Sequence, residues 1–81
     1  MHYQRPDGRV FVAAIGSMTA AVKAQRALLA AGIHAEVIAL SPHQTRRGCA
    51  YGVEFPHVLE HEARAALRDA RVSVSQYIEK R

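Results

Sequence analysis

The residues able to do chemistry gather in two short stretches. The first is "TRRGCAYG", Thr45 to Gly52, which holds the only cysteine of the sequence. Arg46 and Arg47 stand just before Cys49, with Gly48 and Gly52 on either side of it. Adjacent guanidinium charges favour thiolate over thiol, and the thiolate is the nucleophile. His43, earlier in the same polar segment, can act as a general base or help to stabilise a thiolate. The chain has no second cysteine with which a group held on Cys49 could be discharged as an internal disulfide. A plainer reading stands beside this one. Free cysteine is among the most buried residue types. Cys49, Tyr51, Val53 and Phe55 share one parity and Glu54 has the other, so Cys49 can equally be the last small residue of a core.

The second stretch is "HVLEH", His57 to His61. It matches the H-x-x-E-H pattern in which two helical histidines face one zinc ion and the glutamate serves as base. Such a site needs a third ligand and a substrate cleft, for which a chain of 81 residues has little room. The expectation is therefore no metal centre, with Pro56 starting a helix and His57 and His61 on its exposed or flank side. There is no phosphate-binding glycine loop, dinucleotide fingerprint or Cys-x-x-Cys pair. Gly16-Ser17 can open a helix whose N-terminus attracts anions, but without further glycines or a lysine it is not a nucleotide site.

These residues must be positioned by regular elements. Met1 to Gly8 is polar, contains Pro6, and reads as a flexible N-terminal arm. "RVFVAAI", Arg9 to Ile15, is β-branched and free of charge after Arg9, which predicts a strand buried on both faces. Ser17 is a good N-cap for a helix over Met18 to Ala31. Met18, Ala21, Val22, Leu28 and Leu29 form its expected core stripe, and Gly32 its stop. Ile33 to Leu40 predicts a second strand and Cys49 to Phe55 a third. His57 to Ala70 predicts a second helix with Leu59, Ala63, Ala66, Leu67 and Ala70 inward. Arg71 to Ile78, alternating Val72, Val74 and Ile78 with Ser73 and Ser75, predicts a half-buried fourth strand. Residues 9 to 78 thus form one domain, followed by a charged tail over 79 to 81.

The order strand, helix, strand, strand, helix, strand is the split βαβ pattern of an α+β, ferredoxin-like sandwich. Its antiparallel sheet has spatial order 4-1-3-2, with both helices on one face. The loop Ser41–Gly48, the start of the third strand and the N-terminus of the first helix then meet at one sheet edge. That brings Cys49 close to the roughly half positive charge of a helix N-terminus. Gly48 and Gly52 allow close backbone approach to a substrate or the neighbouring helix. The second sheet face has no helix, so a homodimer or a partner protein is expected to cover it.

Composition narrows the classes further. The apolar fraction is 49% and the net charge +4, with a pI of about 9.8. The cations are scattered, so nucleic acid is not an expected partner. RNA stacking on the open face would rely on Phe11 and Tyr51 alone. No apolar run reaches the length of a membrane span. No export signal opens the chain, and a lone cysteine fits the reducing cytoplasm.

One set of residues goes further: "VFVAAIGSMTAAVKAQRALLAAGIHAEVIALSP", the short polar loop containing Pro42, Cys49 opening the third strand, and "AYGVEF". With these, the chain from Arg9 to Ile78 resembles the selenium/sulfur (Se/S) carrier protein-like family of small domains. Members have glycine after that cysteine, whereas this chain has Ala50 and places Gly48 before it. The resemblance implies a carrier or accessory protein rather than a classical enzyme, with no cofactor. Cys49 would accept sulfane sulfur or selenium as a persulfide or perselenide and hand it to a protein partner. Arg46 and Arg47 would stabilise the anion or recruit an acidic partner, with Gly48, His43 and Ser17 in support. The alternative is a non-catalytic, homodimeric binding or regulatory module, because fold does not decide function.

Overall fold

Val10–Gly16 forms the first strand, β1, in a computed structural model that describes residues 9–41, 43 and 50–80. Val12, Ala13 and Ala14 have no exposed surface, as the charge-free run predicts. This strand is central. It pairs antiparallel with β3, Tyr51–Pro56, on one side and with β4, Gln76–Lys80, on the other. The short β2, Glu36–Ala39, pairs antiparallel with β3. The spatial order is β2-β3-β1-β4, the expected order read from the opposite edge. The protein is thus α+β, with four antiparallel strands and two helices, α1 (Met18–Ala30) and α2 (Glu60–Asp69).

Strand parity sorts the core into two layers. Ala13, Val53 and Phe55 pack with Ala21, Ala24 and Leu28 of α1 and with Ala63 and Leu67 of α2. Both helices therefore lie against the same face. Val12, Ala14 and Leu40 form a second cluster with Ile38 and Ile78. Here Gly52 matters. A Cβ on it would stand 2.6 Å from the Ala13 carbonyl oxygen and 3.1 Å from both Val12 Cγ1 and Leu40 Cδ1. The close approach is thus to β1 and Leu40, not to a helix as the sequence reading allowed.

The helix-free face differs from expectation in a second way. Val12 and Ala14 are fully buried and Leu40 is 8% exposed within the single chain. Among the described residues, the exposed large apolar side chains are Met18, Leu29 and Val58, none of them in the sheet. Toward its rim the face is charged. Glu36 lies opposite Glu54, a repulsive cross-strand pair. His34 approaches Glu36 at 2.9 Å and Lys80 approaches Glu54 at 3.7 Å, which offsets the repulsion. Among the described residues, the sheet carries no exposed large apolar side chain on this face. Phe11 and Tyr51 both pack on the helix side, so neither supplies a base-stacking surface on the open one.

Helix ends explain where the expected boundaries moved. Ile33 was expected in a strand, but its N–H bonds to the Leu28 carbonyl at 2.8 Å, and Gly32 bonds to Leu29 at 2.9 Å. This is a Schellman cap, with Gly32 at φ +81°. Ala35 in turn accepts a 2.9 Å bond from Gln25 Nε2, so β2 starts only at Glu36. The second helix ends the same way: Val72 bonds to Leu67 and Arg71 to Arg68, each at 3.0 Å. Arg71 takes the left-handed conformation at φ +60° that glycine usually fills.

The fourth strand is consequently displaced. Val72 and Val74 pack on the helix side while Ile78 sits in the opposite cluster. The alternation read from Arg71 to Ile78 therefore slips before β4 begins at Gln76. That strand runs to Lys80, placing Glu79 beside Arg9 at 2.7 Å. At the other end of β3, His57–Leu59 forms a short 3-10 turn and α2 starts at Glu60. The His57 N–H donates to the Arg9 carbonyl at 3.2 Å, tying that turn to β1.

In α1 the stripe is rotated from its expected position. Ala21, Ala24 and Leu28 are buried, but Met18 and Leu29 are each 49% exposed. Small residues face the sheet and let the helix lie close, while two larger apolar residues point away from it.

Gly52→Ala should destabilise the protein by about 1–3 kcal/mol through overpacking, because the nearest obstacle is backbone. Urea unfolding measures this. An unchanged midpoint would mean that β1 and β3 can separate locally without loss.

Candidate functional site at the helix-bearing edge of the sheet

The ends of several elements converge at one edge. Gly16 pairs with Tyr51 across an irregularity in the β1–β3 ladder between Ala14 and Gly16. Gly16 adopts φ +129°, a conformation open to glycine and strained for other residues. The chain then turns directly into α1. Ser17 is extended and its Oγ accepts from the Ala20 N–H at 3.1 Å, as expected of an N-cap. The first turn of α1 holds no acidic residue, so its positive end is not neutralised from within the helix. Leu40, just beyond β2, donates its N–H to the Ala50 carbonyl at 2.8 Å. The end of β1, the end of β2, the entry to β3 and the N-terminus of α1 therefore lie together.

Of the predicted site residues, Ser17 is at this edge and His43 is exposed. Cys49, Arg46, Arg47 and Gly48 lie outside the described residues. Tyr51, Val53 and Phe55 do face the helix side, as their shared parity predicts.

The "HVLEH" stretch is used structurally. His57 approaches Glu79 at 3.6 Å and meets the Phe11 ring edge-on at 5.0 Å. Glu60 pairs with Arg64 at 2.7 Å, and His61 is exposed. Among the described residues no three His, Cys, Asp or Glu side chains are grouped to hold a metal ion. Arg64 is exposed, as its place off the apolar stripe predicts, and its guanidinium also lies 4.0 Å above the Tyr77 ring, a contact between α2 and β4 that sequence spacing does not signal. Burial raises the pKa of the Tyr77 hydroxyl above its usual value of 10.0. The Arg64 charge opposes this and Glu60 adds to it.

Ser17→Ala should cost about 1 kcal/mol by leaving a helix N–H unpaired, with Ser17→Asp close to the parent. Thermal or urea unfolding of the three proteins checks this. For Tyr77, a raised pKa in the folded state means that folding favours the neutral phenol. The contribution is complete below pH 10 and is lost as pH rises through the folded-state value. Stability measured as the pH is raised through and beyond 10 should fall, and Tyr77→Phe should flatten that fall.

No helix among the described residues is long and apolar enough to cross a membrane. No curated protein and no solved structure matches the chain. The family described as "Putative Se/S carrier protein-like" matches residues 11–79, from β1 through Glu79 of β4. With a match over most of its length, the chain belongs to the Se/S carrier protein-like family.

Proposed function

We propose that the protein is a sulfur or selenium carrier in which Cys49 holds the chalcogen, on a ferredoxin-like scaffold working in the cytoplasm. The Gly16–Tyr51 pairing is the observation that supports this most. Cys49 stands two residues before Tyr51 in the sequence, and two residues of chain span about 7 Å at most. Gly16 leads straight into the Ser17-capped start of α1. A helix N-terminus without its own acid is a favourable neighbour for a thiolate or persulfide anion. Arg46 and Arg47 add cationic charge within three residues of the thiol in sequence, and His43 is available as a base.

The transfer needs no cofactor. The Cys49 thiolate attacks the terminal sulfur of a donor persulfide. A new S–S bond forms at Cys49 Sγ, the donor S–S bond breaks, and the donor leaves as thiolate. In discharge the partner's thiolate attacks the terminal sulfur, and Cys49 departs as thiolate with the electron pair of the broken bond. Exchange conserves oxidation state overall. The absence of a second cysteine in the chain leaves the carried sulfur open to the partner.

The test uses the full chain. Cys49 should alkylate at pH 6.5 (an acidic pH relative to the free-thiol pKa of about 8.5) well above the rate of a free thiol. Incubation with a cysteine desulfurase and cysteine should add the mass of sulfur at Cys49, and Cys49→Ser should abolish it. Alkylation that occurs only after unfolding would overturn the proposal and favour the core reading of the thiol.

A further inference from the structure

We propose that the outward face of α1 is the docking surface for an acidic amphipathic helix of a partner protein. Met18, Val22 and Leu29 are spaced by four and seven residues, so they form one line along the helix. Eleven residues of rise make that line about 16 Å long. Met18 and Leu29 are two of the three exposed large apolar side chains among the described residues. The line lies about a quarter-turn round the helix from the buried Ala21, Ala24 and Leu28, and Met18 and Leu29 on it stay exposed in this fold. They resemble the anchors of helix-in-groove recognition.

The charge beside the line decides what can dock. Thr19, Lys23 and Arg26 run next to it, and a groove of about 420 Å³ is lined by Met18, Thr19, Val22, Lys23 and Arg26. Among the described residues, neither Lys23 nor Arg26 has an ion-pair or hydrogen-bond partner. Arg9, Arg64 and Lys80 are paired with Glu79, Glu60 and Glu54, and the exposed Arg68 and Arg71 sit away from this face, at the end of α2 and just after it. Two unpaired cations at an apolar seam select carboxylates on the other side. They also disfavour a second copy of this chain, because a two-fold contact would bring Lys23 and Arg26 against their own equivalents. A membrane surface is disfavoured by the narrow apolar line, since interfacial helices carry a broad apolar face. The seam begins at Met18, the first residue after the Ser17 cap. An occupant would therefore reach the sheet edge described above. The inference rests on α1 alone and holds whether or not Cys49 carries a chalcogen.

The experiment is an amide NMR titration of the ¹⁵N-labelled full chain with three probes. These are a stapled helical peptide with leucines at matching spacing and flanking glutamates, the same peptide with lysines for glutamates, and anionic phospholipid vesicles. The glutamate peptide should shift the amides of Met18, Thr19, Val22, Lys23, Arg26 and Leu29, and added salt should weaken it. The double variant Lys23→Glu/Arg26→Glu should lose about tenfold or more in affinity for the glutamate peptide and gain the lysine peptide. Both side chains are exposed, so the variant should keep its fold, as its amide spectrum will show. Equal binding of both peptides, shifts confined to other elements, or no shift at all would overturn the proposal. Preference for vesicles, or concentration-dependent shifts of the free chain at α1, would assign the face to a lipid surface or to a second copy instead.

Discussion

The structure depends on the burial of β1 on both of its faces and along both of its edges. Val12, Ala13 and Ala14 expose nothing, and the strand is paired with β3 and β4 at once. Apolar burial drives this, and backbone pairing keeps it from leaving polar groups dry. The near contact of Gly52 with the Ala13 carbonyl shows how little slack remains. Every other element is held relative to β1. The helices cover the Ala13 side, and Leu40, Ile38 and Ile78 close the Val12 and Ala14 side.

The same constraint builds the candidate site. β1 can leave the sheet only where its ladder with β3 becomes irregular, and it does so at Gly16. From there the chain enters α1 through Ser17. The helix N-terminus is consequently fixed at the edge where β3 begins. Its electrostatic character is imposed by topology: the helix starts directly after the strand leaves the sheet, with no acid in its first turn.

Polar groups away from that edge serve mainly to fix the elements. Arg9, His57 and Glu79 join the start of β1, the turn after β3 and the end of β4. Arg64 links α2 to β4 through the Tyr77 ring. These contacts give His57 a structural role at the start of the turn after β3. Exposed ion pairs contribute little each, so their role is to select an arrangement rather than to hold it together.

Much of this was legible before any coordinates. Local rules determined the central strand, the Ser17 cap, the Gly32 stop and the α+β order, because each depends on a few adjacent residues. The family resemblance was likewise carried by contiguous sequence. Tertiary structure alone decided the rest. The helix cap at Leu28 took the N–H of Ile33 and shortened β2. The bend at Ser75, whose N–H and hydroxyl both donate to the Ala14 carbonyl, comes between Val74 and β4, so that Val72 and Val74 face opposite to Ile78. Periodicity also placed Met18 and Leu29 inward, since spacing gives the angle between residues but not which side meets the sheet. Ala21, Ala24 and Leu28 took that position, and Met18 and Leu29 were left exposed on α1.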